Sequence, residues 1–453
     1  MTKLTRRRFI ADTVAAAATV TIVPSYCLGR TKDRPAPSDT LYFAKVGCGG
    51  MGGGDFNEVV AAGARPSALC DVDSKRAAGT VGHEACKGLT LYSDFRKMFD
   101  EQAKNFDAVV VSTPDHMHAP VSLAAMQLGK HVYCQKPLAR TIRECFEMRD
   151  AAARYGVVTQ MGNQGHSGGA LERTIECVHA GVIGTVREVH VWTDRAQNWW
   201  PQGADVRLPT APLVAPAHID WNAFLGVAPA VPYSDAIHPF KWRGLIDFGC
   251  GAIGDMACHN MDPAFMALDL GQPTSVKTTS SEFNRISFPA WSIVEWQFPA
   301  KGDRPAVKVF WYDGGKKPER PSDLPAGREL DGNGCLFIGE KGKMLGGSHA
   351  GFCAPFDKDY ERPKETLPRS EGHYKEWVMA AKGEKIRRGT TGSHFGYAGP
   401  MTATIAMGVV GMYFPGETLA WDGEKLEFQR AAANQYLHRE YRKEYALPRR
   451  ASS

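Results

Sequence analysis

No apolar run in this chain reaches the ~18 residues that a membrane-spanning helix needs. The nearest stretch, TVAAAATVTIV at 13–23, is short and follows a basic cluster, TRRRFI at 5–10. An integral membrane protein built of helices is therefore excluded. The eleven cysteines include no C-x-x-C, which removes zinc ribbons and dithiol redox motifs. Several of them sit inside apolar, strand-like runs where buried free thiols are expected. No internal repeat is present, and no ligand spacing points to a metal site. A charge surplus is lacking too: residues 1–34 hold seven Lys/Arg and two Asp, which is the whole net charge of +5, and 35–453 is neutral by count. Such a chain offers no basic surface to nucleic acid or anionic lipid.

What the sequence does contain begins with an export pattern. Arg6, Arg7 and Arg8 precede Phe9, Ile10 and the modest apolar stretch, the layout of a twin-arginine signal rather than a membrane anchor. With its linker this segment spans 1–34, and it predicts a periplasmic or otherwise exported protein. No clean A-x-A precedes the Pro-rich TKDRPAPSD (31–39), and Tyr26 is too bulky for Cys27 to sit in a lipid-anchor context. Scattered free thiols suit a protein that folds in the reducing cytosol before export. The rest of the 453 residues, with 43% hydrophobic and 23% charged overall, is enough for two sizeable cores.

From residue 40 the pattern alternates. LYFAKVGCG, SALCDVD, FDAVVVSTP, HVYCQ and VVTQMGN read as strands, with helices between them at DFNEVVAAGA, DFRKMFDEQ, APVSLAAMQLG and TIRECFEMRDAAARYG. Strict alternation predicts an α/β domain: a doubly wound parallel sheet of Rossmann type over 38–165. Beyond it the texture changes. A helix at 170–180 leads to TVREVHVWTDR, a Trp- and Pro-rich irregular stretch (197–245) and a helix at 254–269. Period-two strands follow at SVKTTSSEF, SIVEWQF, AVKVFWY and CLFIGEKGKMLG, then helices near 373–382 and 400–413. Residues 166–453 thus predict an α+β domain with a large open, mostly antiparallel sheet and helices on one face. The Pro-, Gly- and charge-rich loop 313–334 is expected to be an exposed insertion with nothing to bury.

VGCGGMG (46–52) places Gly47-x-Gly49-x-x-Gly52 after a strand and before a helix, and Asp71 ends the second strand 19 residues after Gly52. Gly47 permits the tight turn, Gly49 lets a pyrophosphate approach the backbone, and Gly52 allows close helix–strand packing. Gly50 and Met51 open the helix, whose N-terminal N–H groups meet the phosphates. Asp71 is expected to bond both ribose hydroxyls and repel a 2′-phosphate. That favours NAD, with NADP not excluded because Arg76 lies close by.

HVYCQKPL (131–138) sets a lysine against a proline at the end of a strand. Together with the glycine loop, STPDHMH (112–118), QKPLA (135–139) and GDMACHNMD (254–262), it resembles the Gfo/Idh/MocA superfamily of glucose–fructose oxidoreductase, inositol dehydrogenase and rhizopine-catabolism proteins. IDWNAFLGVAPAVPY (219–233), HPFKWRG (238–244) and HFGYAGP (394–400) resemble a secreted bacterial branch. The similarity covers roughly residues 40–410. It implies that Lys136 contacts both the nicotinamide ribose and the reacting hydroxyl. Here Gln135 stands where the family has a glutamate, so the lysine is tuned differently. The resemblance also implies that the loop with Thr113, Pro114, His116 and His118 contacts cofactor, and that copies associate through the open face of the second sheet as a homo-oligomer.

Asp255 and His259 lie four apart, on one face of a helix. Removing a hydride from a sugar carbon requires loss of the hydroxyl proton, and imidazole is suited to take it. His259 is therefore the expected base, with Asp255 orienting it or touching a neighbouring substrate hydroxyl. A structural pair, or half of a metal site, is the blander reading. Lys136 would stabilise the developing alkoxide. Asn163 and Gln164, at the end of the last Rossmann strand, are candidate cofactor contacts. Trp199, Trp200 and Trp242 with Arg195, Lys241 and Arg243 are the candidate sugar contacts, although Trp also fills cores.

Three functions compete. One is an NAD-dependent oxidoreductase acting on a secondary hydroxyl of a sugar or glycoside. The second is a redox-neutral glycoside hydrolase, a branch associated with replacement of the Lys-Pro lysine, which Lys136 argues against. The third is a non-catalytic nucleotide- or sugar-binding protein. Export adds an expectation of its own: a tightly held cofactor regenerated within the cycle.

Overall fold

A computed structural model describes residues 39–208, 213–324 and 327–446, so the export signal expected at 1–34 lies outside the described residues. From Leu41 onward the chain forms one unit built on two sheets. The first contains β1 (Tyr42–Val46), β2 (Arg65–Cys70), β3 (Leu91–Tyr92), β4 (Ala108–Val111), β5 (His131–Gln135) and β6 (Thr159–Gly162). All are parallel, in the order β3-β2-β1-β4-β5-β6. Strands with helices on both faces bury both sides, and β4 is buried at every residue. The order reverses between β1 and β4, so the crevice for a ligand opens at the carboxyl ends of these two strands.

Local signals end the helices where expected. Thr141 and Glu144 form a reciprocal capping box at the start of the helix Ile142–Tyr155, and Gly156 closes it in the left-handed conformation with φ 61°. The short helix Ser74–Val81, which the sequence pattern did not suggest, is capped by Asp73, whose carboxylate accepts from the Lys75 and Arg76 amides.

The second sheet has nine strands: β7 (Val186–Trp192), β8 (Ser275–Ser280), β9 (Ser292–Phe298), β10 (Val307–Tyr312), β11 (Gly334–Gly339), β12 (Lys343–Gly347), β13 (Cys353–Pro355), β14 (Thr418–Asp422) and β15 (Glu427–Phe428). Their order is β13-β12-β11-β7-β10-β9-β8-β14-β15, and every pair is antiparallel except β7–β10. β9 alternates buried and half-buried residues along its whole length, as a sheet with one covered face requires. The helix Phe395–Gly411 packs on it, with Trp296 donating to the Thr404 carbonyl at 2.9 Å. The same helix packs against Ile142–Tyr155 of the first lobe, joining the two lobes.

Two expectations are corrected. The helix anticipated over 254–269 is two, Gly251–Asn260 and Asp262–Ala267, with Pro263 in the first turn of the second, a position that tolerates its missing N–H. The loop at 313–334 is not an empty insertion. Asp313 is buried against Ser292 and Trp311, while Leu324 and Leu330 pack with Trp192, Leu336 and Leu345. Two leucines among prolines and charges were enough to cover one end of the sheet. Among the described residues no helix is long and apolar enough to cross a membrane.

Candidate active site

The parallel sheet delivers its functional loops to one edge. Gly47 follows β1 with φ +83°, and a Cβ there would sit 2.4 Å from the Ser112 carbonyl oxygen. A Cβ on Gly52 would lie 2.2 Å from the Gly47 oxygen, and one on Gly49 would lie 2.9 Å from Arg76 Cβ. The cradle therefore excludes side chains, as a backbone that receives a pyrophosphate must. The helix Met51–Ala61 starts behind it with no side-chain cap and no acid in its first turn. Its N-terminal partial positive charge has no competing carboxylate of its own.

Asp71, at the end of β2, faces the same cavity. Its Oδ2 accepts the Cys48 amide at 2.6 Å and the Gly49 amide at 3.2 Å, and its Oδ1 accepts the Asp73 amide at 2.9 Å. Burial raises its pKa, and these three amides oppose the rise. Beyond the expected ribose contact, the carboxylate shapes the glycine loop itself. The Arg76 guanidinium hangs over Gly50, where it bears on any 2′-phosphate.

Both lobes line a cavity of about 400 Å³ that runs from the glycine loop to Lys136, Asp255 and His259. Lys136 donates to the Asp255 carboxylate at 2.8 Å and to its carbonyl at 2.9 Å. The other carboxylate oxygen accepts from Arg195 at 2.8 Å, with Arg243 3.9 Å from the first. Burial pushes the Asp255 pKa up, but Lys136, Arg243 and Arg195 together hold it below the ordinary carboxylate range. One carboxylate thus anchors three cations. This corrects the expectation that Asp255 orients His259: its oxygens are taken by Lys136 and Arg195, so it positions the lysine instead.

His259 is buried, and its Nδ1 has no hydrogen-bond partner. Burial first, then the nearby Lys136, His349 and Arg195 charges, hold its pKa well below 6.5. The ring is neutral at physiological pH, with Nδ1 open to a hydrogen-bond partner. His349, which sequence reasoning missed, lies with its ring centroid 4.0 Å from that of His259 and also lines the cavity. Its backbone is left-handed at φ 55°, and its amide is held by the Asn260 side chain at 3.2 Å. Its one sequence signal was a histidine inside the glycine-rich turn GGSHAG (346–351). Asp115 was passed over as well; it is buried at the cavity wall, and burial raises its pKa.

Thr113, Pro114, His118, Gln164, Trp242 and Arg243 also reach the cavity. His118 places its ring nitrogens 2.7 Å from the Pro137 carbonyl and 2.9 Å from that of Thr113, tying the β4 loop to the lysine loop. Burial disfavours its charge, but Cys134, Asp115 and the Pro137 carbonyl outweigh it and lift the pKa to about 9.

Five predicted residues are placed elsewhere. His116 is buried between the Phe224 and Phe248 carbonyls, its pKa pushed down to about 3 by burial and by Arg439. It is a packing residue rather than a cofactor contact. Asn163 is fully buried and donates to Asp262 at 3.1 Å, in a network with His166 and Tyr397. Trp200 packs against Ala196 and Ala252 and bonds Gln202. Trp199 is 49% exposed beneath the Arg195 guanidinium, and Lys241 is exposed away from the cavity wall. Among the described residues no three His, Cys, Asp or Glu side chains are placed to hold a metal ion.

The departure at Gln135 has a structural reason. Its Nε2 donates to both oxygens of buried Asp55, at 2.8 and 3.0 Å, and its Oε1 accepts the Lys136 amide at 3.3 Å. Asp55 also accepts from Ser112 at 2.5 Å and from Tyr374 at 2.8 Å, and Ser112 in turn accepts from buried Lys45 at 2.6 Å. A glutamate at 135 would set two carboxylates against each other. Asp55 places a carboxylate against residue 135, and the Gln135 amide is its matching donor.

Comparison with known proteins agrees with this geometry. Residues 41–163 match the family described as "Oxidoreductase family, NAD-binding Rossmann fold", and residues 169–303 match its C-terminal alpha/beta domain. The chain belongs to the Gfo/Idh/MocA oxidoreductase family. Its first lobe is an NAD-binding Rossmann domain. Inositol 2-dehydrogenase 2 of Saccharopolyspora erythraea is 36% identical over 119 residues, 26% of this chain and 34% of that protein. Levoglucosan dehydrogenase of Pseudarthrobacter phenanthrenivorans is 28% identical over 38% of this chain and 35% of its own length. The chain thus spans about a third of each of these relatives. A glycosyl hydrolase family 109 protein of Shewanella pealeana is 28% identical over 34% of this chain and 38% of its own. The fold is shared with the WlbA dehydrogenase from Bordetella pertussis, solved in complex with NADH and UDP-GlcNAcA, at 16% identity and a TM-score of 0.57 over 84% of this chain and 99% of that one.

Proposed function

We propose that this family member oxidises, and in reverse forms, a secondary hydroxyl of a sugar or glycoside. The carrying observation is that Lys136, held by Asp255, and the unpartnered imidazole of His259 line one cavity continuous with the glycine loop. Gly47, Gly49 and Gly50 would hold the pyrophosphate of NAD, with Gly52 keeping the helix close behind them, and Asp71 its ribose. Bound there, NAD supplies the hydride acceptor.

The side chains supply the rest. A substrate hydroxyl placed between Lys136 and His259 meets a cation on one side and a neutral base on the other. His259 takes the hydroxyl proton, and Lys136 stabilises the negative charge that develops on oxygen. Asp255 keeps the lysine aimed while Arg195 and Arg243 keep Asp255 ionised. In the reverse direction protonated His259, a strong acid because its pKa is depressed, returns the proton. Trp242 offers a wall for the apolar face of a sugar ring, and Arg243 offers donors for its hydroxyls.

Relatives in glycosyl hydrolase family 109 favour one second reading: oxidation, elimination of the aglycone, addition of water and reduction at the same site. Incubation with a panel of nitrophenyl glycosides, with and without added NAD, separates the two. NADH absorbance supports the dehydrogenase, and nitrophenol release without net reduction supports the hydrolase. Neither signal, with nucleotide binding intact, contradicts both.

A further inference from the structure

A second cavity, of about 370 Å³, lies where the start of the helix Ile142–Tyr155, the segment 246–250 and the C-terminal segment 436–440 meet the helix Phe395–Gly411. It shares no lining residue with the active cavity. Phe288, Val409 and Tyr413 give it an apolar wall, and Tyr413 is stacked on Tyr436 with ring centroids 3.8 Å apart. Two guanidiniums line the same space. Arg140 Nε donates to the Ile246 carbonyl at 2.6 Å, joined by its Nη2, and Arg439 Nη1 donates to the next carbonyl, that of Asp247, at 2.8 Å. The two cations are thus set on consecutive peptide groups, and among the described residues neither is in an ion pair with a carboxylate.

Like charges held together out of bulk water are costly unless an anion is shared between them. The acids nearby do not make up the deficit. Glu144 spends its carboxylate on the Thr141 amide and the Tyr441 hydroxyl, while Asp247 and Glu440 line the cavity beside His438. Burial first, then the Arg140 charge, hold the Arg439 pKa down to about 10, against the pull of Glu144 and Asp247. A guanidinium carries five N–H donors, so both groups keep donors to spare after their carbonyl bonds. Neighbouring forks of this kind match the planar edge of a carboxylate or phosphate, and the aromatic wall suits an apolar body attached to it.

We propose that this cavity binds a small organic anion, with its carboxylate or phosphate bridging Arg140 and Arg439 and its apolar ring against Phe288, Val409 and Tyr413. The position gives such a ligand leverage on the active cavity. Arg140 lies four residues beyond Lys136 in the chain. Cys250, which also lines the second cavity, immediately precedes the helix Gly251–Asn260 that carries Asp255 and His259. An anion held by both guanidiniums ties the lysine loop of the first lobe to the C-terminal segment and stabilises the folded chain by linkage. This inference is independent of the reaction proposed above.

The test saturates the full chain with NADH, so that the nucleotide cavity is filled, and titrates it calorimetrically with phenyl phosphate, benzoate, inorganic phosphate and benzyl alcohol. Phenyl phosphate or benzoate should bind at one site per chain, and inorganic phosphate and benzyl alcohol should each bind more weakly. Arg439→Gln should weaken the organic anion ~10–100-fold, the range for losing a hydrogen bond to a charged group, with NADH affinity unchanged. Crystals of the unaltered chain soaked with the same anion locate it without any variant: the oxyanion should lie on Arg140 and Arg439 and the ring against Phe288 and Tyr413. No heat with either organic anion, equal binding of inorganic phosphate or benzyl alcohol, or density for the anion only at another place overturns the proposal.

Discussion

In the first lobe, the cavity is built from backbone. Gly47, Asp71, Thr113 and Lys136 each follow the end of a parallel strand, and their positions are set by turn geometry and amide hydrogen bonds. In the second lobe it is built from side-chain charge. Asp255, His259, Arg243 and His349 line it, and ion pairs of the Asp255 carboxylate with Arg195, Arg243 and the incoming Lys136 set its charge. The first construction leaves no room for a Cβ at Gly47 or Gly52. The second concentrates three positive charges on one negative group. A family that keeps one cofactor while changing substrates gains from this division, since substrate-side contacts can vary without disturbing the nucleotide cradle.

The largest expected effects break the chemistry where the lobes meet, at His259 of the second and Lys136 of the first. His259→Ala and Lys136→Ala should each lower kcat by ~10²–10⁴-fold, the range for losing a positioned proton-transfer or charge-stabilising group. NADH binding, followed by fluorescence, should persist. Next comes the first lobe: Gly47→Ala places a Cβ 2.4 Å from the Ser112 oxygen at φ +83°, so nucleotide affinity should fall steeply while the Asp255 network stays intact. Thermal melting compared with NADH titration checks that separation.

Asp255→Ala leaves Lys136, Arg195 and Arg243 facing one another, and losing one partner of a buried pair costs about 3–5 kcal/mol. Denaturant unfolding should show this loss, and Asp255→Asn should show less. Gln135→Glu probes the link between the lobes' designs by setting a carboxylate against Asp55. It should destabilise the protein at neutral pH by about 2–4 kcal/mol and recover as pH falls and one carboxyl protonates. Combining it with Asp55→Asn should restore stability. If the single change proves neutral, the displaced-charge explanation of Gln135 is wrong.

The smallest effect is one of pH. Burial and Lys136 depress the His259 pKa, so its neutral form is fully present at pH 6.5 and above. The acid limb of kcat/KM for oxidation should therefore lie well below pH 6.5. Stability follows the same sign: His116 and His373, buried with pKa values of about 3, take up protons more readily when unfolded, so stability falls as pH drops below 6.5. His118, raised to about 9, has the opposite sign and loses its contribution as pH climbs through that value.

The contrast between the lobes also explains what could be read from residues alone. The glycine loop, Asp71 and Lys136 were legible because each belongs to a local motif whose geometry a few neighbours dictate. His116 and His118, two residues apart in one motif, were not separable. Each sits between two carbonyls, yet one faces Arg439 and the other Asp115, and only packing across the lobes decides that. Asn163 and Trp200 read as contacts because polar and aromatic groups near a site look alike whether they face ligand or core. His349 was hidden for the opposite reason. It comes from a turn remote in sequence and enters the cavity through a left-handed backbone that only its surroundings fix.

The most direct test of the central claim is a crystal structure with NADH and a bound sugar alcohol or glycoside. One substrate oxygen should lie within hydrogen-bond reach of both Lys136 Nζ and the His259 ring, with the carbon that bears it facing the nicotinamide. A substrate oxygen held by Lys136 while His259 lies beyond reach, with no movement of the His349 turn to close the gap, would contradict it.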